Sequence, residues 1–214
     1  MGRSRSVTFQ GPAGRIEGIL QEIEEGPPAR VAIVCHPHPH GGGTMHTKVV
    51  HRAARALQLS GHRVLRFNFR GVGASEGTHA QGIGEQDDVR AALDWLGSLH
   101  AGLPATLAGF SFGSWVGLKV GAADPRVDAL IGLAAPANLF DYGFLKGCGK
   151  AKLFVHGTAD TIAPLAAFER IFAGIAPPKK LVRIEGGSHL LAEHLDQVEA
   201  VLAEFARGLT SGAR

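Results

Sequence analysis

Two cysteines, Cys35 and Cys148, are all the thiol this chain has. One ends an apolar run and the other lies among glycines, so a disulfide framework is not what holds the fold together. There is no uninterrupted apolar run of membrane-spanning length, which leaves no segment for a helix that crosses a bilayer. An N-terminal apolar core of secretory type is also missing, and the expectation is a cytoplasmic protein with no membrane partner. Basic residues are spread thinly: 22 Lys and Arg against 19 Asp and Glu give a net charge of +3. Their densest group is Arg3–Arg5, expected at a frayed terminus. Such a charge can favour an anionic substrate but is too small to indicate nucleic acid. The glycine clusters Gly41–Gly43 and Gly71–Gly73 fit neither G-x-x-x-x-G-K-[ST] nor G-x-G-x-x-G, so no nucleotide cofactor is expected. No repeat and no linker divides the sequence, and residues 1–214 are expected to form a single domain.

What remains is an ordinary globular composition, 45% hydrophobic and 19% charged. Residues 5–24 read as a hairpin about Gly11-Pro12-Ala13-Gly14. A loop follows over 24–29. Apolar runs at 30–35, 63–69, 104–108, 127–133, 151–155 and 180–184 then alternate with helical patterns at 45–60, 85–99, 114–123, 164–173 and 191–207. Val49, Val50, Ala53, Ala54 and Leu57 follow helical spacing, as do Val89, Ala92, Leu93 and Leu96. Leu191, Leu195, Val198, Leu202 and Phe205 form the stripe expected of the last helix. Alternation of this kind predicts an α/β fold: a mainly parallel twisted sheet with an N-terminal antiparallel hairpin and helices on both faces. Ligand sites in such sheets lie outside the carboxyl ends of the strands.

Gly109-Phe110-Ser111-Phe112-Gly113 stands between one apolar run and one helical pattern. G-x-S-x-G in that setting is a nucleophile elbow, which forces a serine into a strained turn beside a new helix N-terminus. A serine hydroxyl needs a base, and the base needs a carboxylate to orient it. Two later post-strand loops supply one of each: Asp160 in His156-Gly157-Thr158-Ala159-Asp160, and His189 in Glu185-Gly186-Gly187-Ser188-His189. The order Ser111, Asp160, His189 is that of elbow hydrolases. Asp141 is a rival acid, whereas Asp87, Asp88 and Asp128 read as helix-start or surface groups. His156 reads as a packed histidine and His194 as a solvated one on the last helix. An oxyanion needs two N–H donors. The backbone of Phe112 is one, and the loop after residues 30–35 should give the other. In that loop Pro37 and Pro39 have no N–H and restrain His38 between them, which points to the His38 backbone.

The alternating His36, His38 and His40, with His46 nearby, also suggest a metal. Glycines release the chain at once and no acidic or cysteine ligand follows within the loop, so neither a metal nor any other cofactor is expected.

The stretches 35–50 (CHPHPHGGGTMHTKVV), 64–77 (VLRFNFRGVGASEG), 82–96 (GIGEQDDVRAALDWL), 107–116 (LAGFSFGSWV), 153–164 (LFVHGTADTIAP) and 185–191 (EGGSHLL) resemble the α/β-hydrolase superfamily. The closest resemblance is to a small bacterial group of lidless, dienelactone-hydrolase-like serine hydrolases. It implies the α/β-hydrolase fold without a cap domain, and Ser111, Asp160 and His189 as the triad. One departure is Gly187-Ser188-His189-Leu190-Leu191, where an aspartate before the histidine and aromatics after it are expected. The segment 134–150 is too short for a cap, but its Leu139, Phe140, Tyr142, Phe144 and Leu145 can wall an open, shallow pocket. The expected activity is hydrolysis of small acyl esters or thioesters. The alternatives are a peptidase or amidase on the same triad, and a catalytically silent binding protein. A thiol enzyme on Cys35 or Cys148 is disfavoured, because neither sits on an elbow. The expected partner is a small-molecule acyl substrate, and a homodimer is left open.

Overall fold

A computed structural model describes residues 3–24 and 26–211. The loop read over 24–29 contains residue 25, which lies outside the described residues. Strands β1 (Ser4–Gly11) and β2 (Gly14–Gln21) form the antiparallel hairpin. Arg5 is not at a frayed end: it lies in β1, opposite Leu20, with its guanidinium on Glu22. Then follow β3 (Arg30–Cys35), α1 (Lys48–Leu59), β4 (His62–Phe67), α2 (Ile83–Leu99), β5 (Ala105–Phe110), α3 (Phe112–Ala123) and β6 (Val127–Leu133). The chain continues through β7 (Ala151–Gly157), α4 (Leu165–Phe172), β8 (Lys179–Ile184) and α5 (Leu195–Ser211).

These strands make one sheet in the order β1-β2-β4-β3-β5-β6-β7-β8, parallel from β4 to β8. Every residue of β3 and β5 is buried, as a strand covered on both faces requires. One face carries a core with Leu107, Leu118, Phe112 and Val89, and the other a core with Val50, Ala54, Phe110 and Val198. Edge strand β8 is half-exposed and carries Lys179, Lys180 and Arg183, which discourages pairing with another chain. From β3 the chain winds first to β4 on one side, then back past β3 to β5 on the other. That reversal puts the topological switch point at the carboxyl ends of β3 and β5.

The last helix starts later than its pattern suggests. Leu191 has φ 52° and precedes a short 3-10 turn, Ala192–His194, so neither Leu191 nor His194 belongs to α5. Leu191 is nevertheless fully buried; its apolar side chain is used, from a turn.

Asp88 is neither a surface group nor a helix-start charge. It is fully buried on the second turn of α2, and its carboxylate accepts from the Arg70 backbone (3.0 Å), Nε (3.1 Å) and one terminal nitrogen (2.8 Å). This pairing fixes the point where the chain leaves β4. Glu85, also buried, accepts from the N–H groups of Ala80 (2.8 Å) and Gly82 (2.7 Å) and closes the same loop at α2. Glu17 of the hairpin takes Asn68 Nδ2 (2.7 Å) and the Ala74 N–H (2.6 Å). The glycine-rich segment between β4 and α2 is thus pinned at both ends and in its middle. Removing one partner of a buried ion pair leaves the other uncompensated, so Asp88→Ala should cost about 3 kcal/mol, read as a lower urea midpoint at unchanged m-value.

Candidate active site

Between the end of β5 at Phe110 and the start of α3 at Phe112, one residue turns the chain. That residue is Ser111, at φ 53° and ψ −124°, a conformation that costs a residue with a side chain roughly 1–3 kcal/mol. The flanking glycines permit it. A β-carbon at Gly109 would overlap the Gly113 carbonyl, and one at Gly113 would overlap the His36 carbonyl beyond β3. The strain is held by hydrogen bonds. Ser111 N–H donates to the Leu133 carbonyl (2.8 Å), and the Ser111 carbonyl accepts from the Ser114 N–H (2.8 Å) and hydroxyl (2.6 Å). With its backbone groups engaged, Ser111 presents its hydroxyl.

Two loops bring partners to that hydroxyl. A β-carbon at Gly157 would overlap the Gly187 carbonyl, so only a glycine lets the turns after β7 and β8 touch. Ala159 N–H then bonds the Gly187 carbonyl at 3.0 Å, and Thr158 N–H the Ile184 carbonyl at 2.9 Å. Within this clasp His189 Nε2 lies 2.9 Å from Ser111 Oγ, and His189 Nδ1 lies 2.8 Å from Asp160 Oδ2. Asp160 Oδ1 accepts from the N–H groups of Ile162 (3.0 Å) and Ala163 (2.8 Å). The His189 ring packs against Phe110. All three residues are buried, with Ser111 9% exposed. Burial alone would raise the Asp160 carboxyl, but hydrogen bonds from His156, His189 and Ala163 outweigh it and hold the group well below the usual carboxylate range.

The rival groups lie elsewhere. Asp141 Oδ1 accepts from the Gly143 N–H (2.8 Å). Asp128 is paired with Arg30. His156 is fully buried, with Nε2 on the Ala163 carbonyl at 2.6 Å, a packed histidine behind Asp160. Both cysteines are buried and free, and burial pushes the Cys35 thiol up.

The histidine-proline loop arrives from β3 against the elbow. His36 is its anchor: Nδ1 faces the Pro37 carbonyl (2.7 Å), and Nε2 accepts from the Phe69 N–H (3.0 Å) beyond β4. Burial lowers its pKa to about 4, so the ring is neutral at physiological pH. His38 follows, its ring 4.8 Å from that of Phe112. Among the described residues nothing accepts a hydrogen bond from its N–H. Phe112 opens α3, where N–H groups have no acceptor within the helix. Burial, then His79 and His40, lower the His38 pKa. His79 comes from the segment between β4 and α2, and its ring lies 4.9 Å from that of His38. No local pattern marks His79, because its neighbours are brought to it only by the pinned loop.

The segment 134–150 builds a wall beside the elbow. Phe140 stacks on Trp115 at 4.5 Å and lies 5.9 Å from Phe112. Trp115 Nε1 donates to the Asp141 carbonyl (3.1 Å), and the Tyr142 hydroxyl meets Ser114 Oγ at 2.7 Å. The segment is closed onto α3 and adds no further layer over the site.

A mostly parallel sheet with an antiparallel hairpin, and a serine at a strained turn between β5 and α3, defines an α/β hydrolase. The comparisons agree and go further: a family model described as serine aminopeptidase, S33 (Hydrolase_4) matches residues 26–147, and the chain belongs to that family. It is similar to a Xanthomonas campestris α/β serine hydrolase without a lid, at 35% identity, TM-score 0.89, and 97% and 95% coverage of the two chains. An α/β-hydrolase candidate of unknown function from Agrobacterium tumefaciens matches at 32% identity and TM-score 0.90, covering 97% of each chain. An uncharacterized protein of Rickettsia prowazekii is 39% identical over 160 residues, 73% of this chain and 67% of its own length. These neighbours place the chain in the lidless bacterial group. No helix among the described residues is long and apolar enough to cross a membrane.

Asp160 is depressed when folded, so its contacts contribute stability above the unfolded carboxyl value, about 3.9, which is lost as pH falls through the folded value. Asp160→Asn should therefore be less stable than the parent near neutrality, with the gap narrowing as pH drops below about 4. Urea midpoints measured across pH check this; a gap that stays constant would reject it.

Proposed function

We propose that the protein hydrolyses small acyl esters, thioesters included, through an acyl-enzyme on Ser111, working as a single cytoplasmic domain over residues 1–214. The observation that carries this reading is the continuous relay of 2.9 Å from Ser111 Oγ to His189 and 2.8 Å from His189 to Asp160. His189 Nε2 takes the hydroxyl proton as Oγ attacks the carbonyl carbon. Asp160, its other oxygen fixed by two backbone N–H groups, keeps Nδ1–H in place and stabilises the imidazolium. The tetrahedral oxyanion sits between the N–H groups of Phe112 and His38. His189 returns the proton to the leaving alcohol or thiol, then draws one from the water that releases the acid.

The family description includes an aminopeptidase, which must hold a substrate ammonium. Here Glu85 is committed to Ala80 and Gly82, and Asp141 Oδ1 to the Gly143 N–H. The wall nearest the serine is aromatic, from Phe112, Phe140 and Trp115. Both facts favour an acyl group without charge, on an ester, over the amide reading.

Ser111→Ala should lose p-nitrophenyl acetate turnover by roughly a thousandfold or more and lose phosphonate labelling, non-additively with Asp160→Asn and His189→Ala, because the three act as a unit. Labelling that persists in folded Ser111→Ala would overturn the assignment.

The second oxyanion donor has its own test. His38→Ala keeps the N–H and should retain turnover within about tenfold, whereas His38→Pro removes a donor worth roughly 3 kcal/mol. Circular dichroism confirms that each variant is folded. If His38→Ala falls as far as Ser111→Ala, the donor has been misassigned.

A further inference from the structure

The histidine-proline loop alone gives no metal site, since His36 is consumed by its own contacts. The fold changes the set. Ring nitrogens of His38, His40 and His79 all lie within 4.8 Å of one another. Their ring centroids form a near-equilateral triangle of 5.4 Å (His38 to His40), 4.9 Å (His38 to His79) and 4.7 Å (His40 to His79). Two of the three come from one short turn and the third from a segment pinned by Asp88, Glu85 and Glu17. We propose that these three histidines form a site for a borderline divalent cation of the zinc class, and that its occupation inhibits the neighbouring hydrolase centre.

Three features support it. First, the donor set is right: three imidazoles with an open fourth position suit Zn²⁺, and hard cations such as Mg²⁺ would not choose them. Second, a supporting carboxylate stands behind one ligand. Glu85 Oε1 lies 2.8 Å from His79 Nδ1 and is itself held by two backbone N–H groups. The approach is out of line for a hydrogen bond, so Nδ1 is buried without a partner. A turn of the ring that brings Nδ1–H into line with this carboxylate leaves the Nε2 lone pair for a metal, the arrangement in which an outer carboxylate orients a metal-bound histidine. Third, the site is reachable, because His40 is exposed.

Binding requires modest movement. Metal–nitrogen bonds of about 2.0–2.1 Å bring tetrahedral donors closer together than the present spacing, so the rings must draw inward. His38 Nδ1 now accepts from the His40 N–H at 3.2 Å, and coordination through His38 Nε2 gives up that long bond for an Nδ1–H. The cost of metal falls on the hydrolase. His38 and His79 both lie against Phe112, at 4.8 and 5.8 Å, and the His38 backbone is the proposed oxyanion donor. Clamping the three rings shifts that donor and narrows the mouth beside Ser111. The inhibitory half rests on the reading given under Proposed function; the metal half does not.

The test uses untagged, chelator-treated full chain. Cobalt(II) titration should give the visible bands of tetrahedral coordination at one ion per chain, and zinc should displace it. Both His79→Ala and His40→Ala should lose the bands, while Ser111→Ala and His46→Ala keep them. Glu85→Gln, where it folds, should weaken zinc by roughly 10–100-fold. Zinc should inhibit ester turnover reversibly, with EDTA restoring it, and each histidine variant should lose that inhibition relative to its own metal-free rate. Bands that persist in both variants, or a parent that binds no cobalt, would overturn the site. Zinc inhibition that persists in both variants would place the metal at His189 instead and overturn the regulatory half. A protein without turnover that still binds cobalt through these residues would leave the site standing and sink the hydrolase reading alone.

Discussion

Everything near the candidate site depends on one backbone turn at Ser111. Its positive φ is affordable only because β5, α3 and the end of β3 close on one another at van der Waals distance. Gly109 and Gly113 make that closure sterically possible, and the hydrogen bonds from Ser111 N–H to Leu133 and from Ser114 to the Ser111 carbonyl hold it. The serine is therefore strained by a structure that over-determines it, and the strain raises the hydroxyl to where His189 meets it. The same closure presses the histidine-proline loop against Phe112, so the proposed nucleophile and both proposed oxyanion donors derive from one contact.

Around this turn the loops are fixed by buried charge and by close backbone approach. Asp88 with Arg70, and Glu85 with two N–H groups, anchor the segment that carries His79. His36, neutral and fully buried, ties the β3 loop to the exit of β4. Gly157 against Gly187 ties the acid loop to the histidine loop. Long loops over a parallel sheet would otherwise be free to move, and a relay needs its atoms fixed to a fraction of an ångström. Polar contacts with defined direction supply what apolar packing cannot.

The elements were legible in the sequence because their signals are local. Val49, Val50, Ala53, Ala54 and Leu57 fall at helical spacing and are all buried in α1, and the apolar runs from 30–35 onward became the parallel strands. That Ser111, Asp160 and His189 would be brought together was legible because each follows a strand. What failed was local reading of non-local facts. Asp88 sits early in a helix and reads as a dipole partner, yet its burial is decided by Arg70, which is 18 positions away. Leu191 continues the stripe of α5, yet a positive φ puts it in a turn. Arg5 follows two other charged or polar residues at a chain start, yet the hairpin orders it. His79 carries no motif at all, and only the folding of the segment onto α2 gives it neighbours.

The wall formed by residues 134–150 is fastened to the same turn. Phe140 stacks on Trp115, Trp115 bonds the Asp141 carbonyl, and Tyr142 bonds Ser114, so three contacts fasten the segment to the first turn of α3. Phe112, Ser114 and Trp115 all follow Ser111 within one helical turn. In the proposed reaction the surface that receives the acyl group, one oxyanion donor and the cap on the Ser111 carbonyl therefore belong to a single helical turn. A ligand that shifts the wall cannot do so without disturbing the turn at Ser111. A separate cap domain could relieve that coupling by carrying recognition elsewhere. In a lidless chain whose wall is fastened to the elbow, a substitution that opens the wall at Trp115 or Phe140 also acts on the turn that holds Ser111.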